Sequence, residues 1–193
     1  MSKLRKAKIL GGIGALLMLI GGIASPGLGC LLGLILLFVA IKYIADTTSD
    51  ESIFDNYLMH FILTILAVIA VVLIFFYSVG GLTFFSLLEE TEFTDAQSVY
   101  DFFEPYIGWW ILALVVGWVF IVISAIYLKK SYESIAEHTN VSMFKTTGKI
   151  YFIGAILLIV IVGILILFIA KILEIVAFFS LPEELPKKAE VGK

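Results

Sequence analysis

The sequence has few of the residues that carry chemistry in soluble proteins. It holds one cysteine, two histidines and four prolines among 193 residues, and only 15% of it is charged. A single cysteine excludes a disulfide framework or a thiolate metal site within one chain. Soluble domains are about 25% charged and about 45–50% apolar, whereas 61% of this chain is hydrophobic. A fold of this length has too little interior for that apolar surface, so the excess must face lipid.

Long apolar runs are frequent, and they predict about five membrane spans. About 20 mostly apolar residues are needed to cross the hydrocarbon core. The predicted class is an all-α integral membrane protein, with an N-terminal hairpin around the turn signal Ser25-Pro26-Gly27 and one domain over residues 1–181. The runs occupy residues 9–24, 28–45, 59–79, 106–128 and 150–170.

The distribution of basic residues predicts the orientation. No lysine or arginine occurs between Lys42 and Lys129, and cytoplasmic loops are enriched in both residues. We therefore predict a cell-membrane protein whose N-terminus and whose loops 46–56 and 129–149 are cytoplasmic. The acidic segment 89–105 is then outside. Five spans also place the C-terminus outside, although its tail carries three lysines.

The last residues, 182–193, form a polar tail. They include two prolines and few apolar side chains, so they cannot bury enough surface to fold alone. We predict that this tail is disordered.

Two cytoplasmic loops share a weak pattern. Residues 45–48 read Ala-Asp-Thr-Thr and lead to Phe54, and residues 136–139 read Ala-Glu-His-Thr and lead to Phe144 at nearly the same spacing. Ala40-Ile41 similarly matches Ala125-Ile126. Because each loop joins two apolar spans, the pattern predicts a parallel two-helix repeat. Loops that simply use the same capping residues would give the same pattern.

The first sixty residues also resemble a known family. Residues 7–14 read Ala-Lys-Ile-Leu-Gly-Gly-Ile-Gly, a glycine-rich hairpin follows, and Ala40 to Asp46 and Ile53 to Leu58 come next. This pattern is similar to an archaeal group of small multi-pass membrane proteins, the domain of unknown function nine hundred and ninety-six. The resemblance implies an archaeal cell membrane and a helical multi-pass fold. It implies no activity or catalytic residue, because none is established for that group.

Ionisable residues are missing near the centres of the predicted spans, where a proton-coupled carrier usually keeps them. The nearest are Lys171 and Glu174, three residues apart and able to pair on one helical face. Since they follow the last predicted span, we expect them at the outer interface. A functional pair inside a cavity is the alternative.

An acidic cluster precedes the third span. Asp46 and Asp55, with two further acids between them, are followed by His60, and hard cations prefer such oxygen ligands. However, the spacing does not match an EF-hand loop, and the neighbouring serines are typical helix caps. We therefore predict no metal, no cofactor and no catalytic residue, and keep Asp46, Asp55, His60, Lys171 and Glu174 only as candidates.

Small residues lie at helical spacings within the spans, where they let two helix backbones approach closely. Such faces are expected to pack within the chain, between copies of it, or against a membrane-protein partner. They are formed by Gly14 and Gly21, by Gly29 and Gly33, and by Ala113 and Gly117.

Uncharged spans, small packing faces and short loops favour a non-enzymatic accessory or scaffold component of a membrane complex. Its partners are the lipid bilayer and other membrane proteins, and nothing indicates nucleic acid. The alternative is a small homo-oligomeric channel or carrier for a small solute, suggested by the repeat and by the acidic outer segment. A third reading, an enzyme acting on lipid, requires His60 to meet Asp55 and Asp46 at one interface.

Overall fold

The structure is a computed structural model that describes residues 2–24, 28–81, 86, 89, 91 and 94–186. Five helices of this described part, α2 to α6, are long and apolar enough to cross a membrane, which confirms the all-α multi-pass class. The predicted turn Ser25-Pro26-Gly27 and the tail from residue 187 lie outside the described residues. The elements are α1 (Lys3–Ala24), α2 (Leu28–Thr48), α3 (Glu51–Ser78), α4 (Ala96–Thr139), α5 (Ser142–Leu157), a 3₁₀ turn (Leu158–Val160) and α6 (Val162–Phe179).

Four predicted spans correspond to helices, and the predicted loop 129–149 is helical except for the turn at residues 140–141. Spans 9–24, 28–45 and 59–79 correspond to α1, α2 and α3, and span 106–128 lies inside α4. Helix α4 continues to Thr139, so residues 129–139 are helical and the loop prediction was wrong there. The helix continues because Tyr132, Ile135 and Ala136 keep one buried face at helical spacing.

The predicted span 150–170 is wrong, because two helices replace it. Helix α5 ends at Leu157, the 3₁₀ turn follows, and Ile161 adopts a left-handed φ of 65° before α6 begins. Helix α6 then packs back along α5. Two glycines permit this close return, because a methyl group on Gly163 would collide with the Gly154 carbonyl oxygen. Residues 142–179 are therefore a helical hairpin.

This hairpin brings the C-terminal segment back to the N-terminus. The Ser2 hydroxyl donates to the Glu183 carbonyl oxygen over 2.6 Å, and the Arg5 guanidinium lies 3.5 Å from the Glu183 carboxylate. Leu181 is fully buried and Leu185 packs on the core, so residues 182–186 lie against the domain. The two ends share one face, which contradicts the prediction that they lie on opposite sides of a membrane.

Helices α1 and α2 pack through their glycines. A methyl group on Gly33 would lie 2.7 Å from the Gly14 carbonyl oxygen, and one on Gly21 would lie 2.9 Å from the Cys30 nitrogen. Both distances are shorter than van der Waals contact, so only glycine allows these backbones to approach so closely. The predicted small faces of Gly14, Gly21 and Gly33 are thus used within the chain.

The turns after α2 and after α4 have the same geometry. Ser49 and Asn140 are left-handed, with φ of 56° and 58°, and the Thr48 and Thr139 hydroxyls each donate to the carbonyl oxygen four residues earlier. Their register pairs Ile53, rather than Phe54, with Phe144, which corrects the predicted alignment. When Ser49 is aligned with Asn140, several residues that are buried in the first copy are matched by buried residues in the second, which supports a repeat. The matched pairs are Leu37 with Leu128, Ile41 with Tyr132, Ile44 with Ile135, Ala45 with Ala136 and Ile53 with Phe144.

The chain divides into two units. Unit 1 comprises Met1–Phe61 and Val122–Lys193, and unit 2 comprises Ile62–Ile121. Unit 1 contains the main core, whose largest fully buried side chains are Tyr132, Phe144 and Phe178. In unit 2, α3 meets α4 where Gly117 lies under Val71 and Ala113 is buried. The candidate site lies in unit 1.

Candidate functional site

An ion pair between the partly exposed Lys171 and the buried Glu174 lies in unit 1. The Lys171 ammonium donates to Glu174 Oε2 over 2.7 Å, one turn apart on α6. The Tyr132 hydroxyl of α4 donates to the other carboxylate oxygen, Oε1, over 2.5 Å. Glu174 is 3% exposed and Tyr132 is fully buried. Both oxygens of this carboxylate are therefore bonded to residues of the same chain.

Aromatic rings from α3 and α5 surround the pair. The Lys171 ammonium lies 5.8 Å from the centroid of the Tyr151 ring, within cation–π range. The His60 ring meets Tyr151 edge-on at 5.7 Å, and Tyr57 lies 6.0 Å beyond His60. Four helices thus contribute to one polar cluster of buried and half-buried side chains, which we call the ionic cluster: Tyr57, His60, Ser124, Tyr132, Tyr151, Lys171 and Glu174.

His60 links α3 to α4 through Ser124. The Ser124 hydroxyl donates to the His60 carbonyl oxygen over 2.9 Å, and its oxygen lies 2.6 Å from His60 Nδ1. Nδ1 also lies 3.2 Å from the Ser124 carbonyl oxygen, which can only accept, so a proton on Nδ1 is compatible with both contacts. The residue pair therefore forms two hydrogen bonds between the same two helices, and these fix the orientation of the imidazole ring.

The bonds within the ionic cluster stabilise one arrangement of the helices, and we call this role a structural lock. Moving an unpaired carboxylate or ammonium out of water costs several kcal/mol, about half or more of a domain's net stability. Here Lys171 of the same helix compensates the charge of Glu174, and the Tyr132 hydroxyl of α4 bonds its second oxygen. A misplaced α4 would leave that oxygen without its donor.

The position of Lys171 and Glu174 differs from the prediction. They were expected at the outer interface, with no ionisable residue near the centre of a span. Instead, Lys171 lies in the middle of α6 (Val162–Phe179), itself a candidate span, and Glu174 is in the core. The cause is the hairpin, which turns the chain back before the two charges are reached.

The other candidates are not assembled into a site. Asp46 lies 3.3 Å from Lys42 and 3.7 Å from Lys3 in exposed ion pairs. Asp55 is exposed on α3, and His60 instead bonds Ser124. Within the described residues, no group of three His, Cys, Asp or Glu side chains could hold a metal ion. The cluster required by a lipid-directed enzyme is thus not formed by these three residues.

A second polar contact joins the first turn to α4. The Ser134 hydroxyl donates to Asp50 Oδ2 over 2.6 Å, and His138 Nδ1 lies 3.7 Å from the same oxygen. The hydrogen bond from Ser134, followed by that from Ser52, holds the pKa of Asp50 below its ordinary value. Both turns of the repeat therefore lie at the same end of unit 1.

Sequence reasoning missed Tyr57, Tyr132, Tyr151 and Ser124. Tyrosine is counted as hydrophobic when membrane spans are predicted, so the hydrogen-bonding capacity of its hydroxyl is not considered. A usable signal existed in the spacing: Tyr57 and His60 are one turn apart on α3, and Ser124 and Tyr132 are two turns apart on α4. Polar side chains on one face of an apolar helix indicate a buried polar contact.

Comparisons with known proteins find a family and a relative. A family model described as "Protein of unknown function (DUF996)" matches residues 30–172. The uncharacterized protein MJ1644 of Methanocaldococcus jannaschii is 36% identical over 183 residues, covering 95% of this chain and 96% of that protein. No solved structure is significantly similar to the chain.

Proposed function

The chain belongs to the DUF996 family, and we propose that it is a non-enzymatic accessory or scaffold component of a membrane complex. One observation carries the proposal: both oxygens of the buried Glu174 are bonded to Lys171 and Tyr132 of the same chain. A transport or catalytic carboxylate must exchange its bonds with a substrate. A carboxylate bonded on both sides instead favours one fixed arrangement of helices, which is what a scaffold needs.

The proposed location is the cell membrane, with both ends and both turns of the repeat in the cytoplasm. The Ser2 to Glu183 contact puts the two ends together, and the Asp50 to Ser134 contact puts the two turns together. The cytoplasmic side is favoured because lysines and arginine are concentrated there. The lysines of the tail then obey the same rule, which the five-span prediction violated.

Unit 2 offers the surface that a scaffold would present. Only 6% of the residues in the most apolar stretch of α3 are buried within the chain, whereas 33% of the residues in the corresponding stretch of α2 are buried. Its exposed side chains include Val68, Val72 and Leu73. We propose that this face contacts lipid in the free protein and a partner helix in the complex.

Co-purification tests this function. The full chain, tagged at its C-terminus, is extracted from its native membrane in mild detergent, and the recovered proteins are quantified by mass spectrometry. The matched control is the same tagged chain with Val68→Ser, Val72→Ser and Leu73→Ser. A stoichiometric partner that the control loses is expected. Recovery of the wild-type chain alone, as a defined oligomer, would contradict the proposal.

A carrier or channel is the second candidate, and one observation favours it. Lys171 and Glu174 lie within a candidate span, and ionisable residues at such positions often mark transport pathways. In that case the double variant Lys171→Met and Glu174→Leu would abolish solute flux into liposomes while the protein stays folded. The triple variant Glu89→Gln, Glu90→Gln and Glu92→Gln would test, by the change in cation flux, whether the acidic segment attracts cations.

A further inference from the structure

Helices α4 and α5 approach closely near the cytoplasmic turn. A methyl group on Gly148 would lie 3.1 Å from the Lys129 Cα and 3.3 Å from the Tyr132 Cβ. This approach places the Lys129 side chain along α5, with its ammonium 5.6 Å from the centroid of the Phe152 ring. One lysine of α4 therefore lies against the α5 surface, on the face of Phe152.

Two more lysines of α5 share that face. Lys145 and Lys149 are one turn apart, both are exposed, and Phe152 follows Lys149 by three residues. Glu133 lies 3.9 Å from the Lys129 ammonium, and Glu137 follows one turn later on α4. Three ammonium groups against these two carboxylates leave a net positive charge. We call this group, Lys129, Lys145, Lys149 and Phe152, the basic seam.

The surface next to the basic seam, away from the turn, is apolar. Ile153 and Ile156 continue the exposed face of α5, and Ile123 and Ile126 do so on α4; each is 37% to 48% exposed. The charges are thus nearest the turn, and the aliphatic side chains lie further along the same two helices. A ligand that fits both parts must be an amphiphile with an anionic end.

We propose that the basic seam binds an anionic membrane phospholipid. Its phosphate lies among the three lysines, and its hydrocarbon chains lie along the exposed isoleucines of α4 and α5. Basic pockets between membrane helices on the cytoplasmic side favour such headgroups. The inference rests on the proposed membrane location and orientation, but not on the scaffold role, because it concerns the isolated chain.

Lipid titration of the purified full chain tests the inference. The chain is exchanged into a neutral detergent, and phosphatidylglycerol or phosphatidylcholine is added while bound lipid is counted by native mass spectrometry. The test variant combines Lys129→Gln, Lys145→Gln and Lys149→Gln. The matched control combines Lys3→Gln, Lys6→Gln and Lys8→Gln, which remove the same charge from α1. Circular dichroism verifies the helical content of both.

The wild type is expected to bind phosphatidylglycerol in preference to phosphatidylcholine. A lysine at the membrane surface contributes roughly a fivefold increase in affinity, so the test variant loses about a hundredfold. The control stays within about threefold of the wild type. A second variant, Ile153→Ser, weakens lipid binding by about fivefold through the lost chain contact, with the lysines intact.

Three results would overturn the inference. Equal losses in the test variant and the control would mean that the chain attracts anionic lipid only through its total charge. Equal competition by soluble glycerol phosphate would mean that the site binds a free phosphate without the hydrocarbon chains. Unchanged lipid binding in the test variant would place the lipid elsewhere. None of these results bears on co-purification of a protein partner, so the two proposals fail separately.

Discussion

Unit 1 and unit 2 differ in what lies between their helices. In unit 1 a bonded ion pair, three tyrosines and a histidine lie between the helices, and Gly14 and Gly21 of α1 face the backbone of α2. In unit 2, α3 exposes large aliphatic side chains, and no atom of the described residues lies within 4 Å of the space a methyl group on Gly108 of α4 would fill. Unit 1 specifies its own structure, whereas unit 2 depends on what surrounds it. Equivalent substitutions should therefore have unequal effects in the two units.

The largest expected difference comes from breaking the ion pair. Glu174→Ala leaves the Lys171 ammonium without its acceptor and should lower the free energy of unfolding by about 3 kcal/mol. Leu73→Ala in unit 2, where Leu73 is 62% exposed, should change it by less than about 0.5 kcal/mol. Reversible unfolding by sodium dodecyl sulfate, followed by circular dichroism, measures both.

A double variant sharpens this test. Lys171→Met with Glu174→Leu removes both charges and keeps the volume, so most of the lost stability should return. If the double variant were as unstable as Glu174→Ala, packing rather than unpaired charge would be the cause. The ionic cluster would then not be a lock.

Glycine substitutions should have opposite effects in the two units. Gly33→Ala places a methyl group 2.7 Å from the Gly14 carbonyl oxygen and should cost about 2 kcal/mol through overpacking. Gly108→Ala meets no neighbouring atom and should stabilise α4 by up to about 1 kcal/mol, because alanine favours the helix. Thermal unfolding of both variants in one detergent gives the comparison, and equal signs would refute it.

Two residues with a left-handed backbone should give smaller changes in the free energy of unfolding, of opposite sign in the two units. Ile161 of unit 1 has a φ of 65°, which a β-branched side chain disfavours, and Gly81 of unit 2 has a φ of 69°. Ile161→Gly should therefore raise stability by about 1 kcal/mol, and Gly81→Ala should lower it by a similar amount. Chemical unfolding of both single variants tests this, and a destabilised Ile161→Gly would mean that the isoleucine contacts outweigh the backbone strain.

Acid should produce the smallest effect, through Asp50. The hydrogen bond from Ser134 holds the pKa of Asp50 below its ordinary value of 3.8. A depressed pKa stabilises the fold above about pH 4, and this contribution is lost as the pH falls through the folded value. Asp50→Asn should thus cost less than about 1 kcal/mol at pH 7, and this cost should shrink as the pH falls through the folded value. Unfolding midpoints of variant and wild type across this range should converge; a constant gap would show that the carboxylate charge is irrelevant.

The helices at four of the five predicted spans could be found from hydropathy, because each run has polar or turn residues at both ends, and three of these helices, α2 to α4, are candidate spans. The fifth could not, because residues 150–170 form an uninterrupted apolar run. Hydropathy gives the length of such a run but does not show that the chain reverses direction within it. Ile161 gives no warning of a turn, because isoleucine is rarely left-handed. Gly163 is as typical of helix packing as of a turn. An alternative signal was length: the run continues to Leu181 with only two charges, which is long enough for two antiparallel helices.

The ionic cluster could not be predicted from the sequence for a related reason. Its residues come from four helices, and His60 and Lys171 approach the same Tyr151 ring only because α6 turns back along α5. Once that turn is missed, Lys171 and Glu174 fall at the wrong end of the helix. The glycine faces were predictable because they depend on spacing within single helices.

The spacing of Lys171 and Glu174 also bears on biosynthesis. A single lysine at the centre of an inserting helix costs about 2.5–3.5 kcal/mol at the translocon. Because these two charges are one turn apart on α6, they can neutralise each other as soon as that helix forms, before Tyr132 is in place. In the proposed topology, helices α5 and α6 then enter the bilayer together as a hairpin, and the chain after Phe179 stays on the side where α5 began.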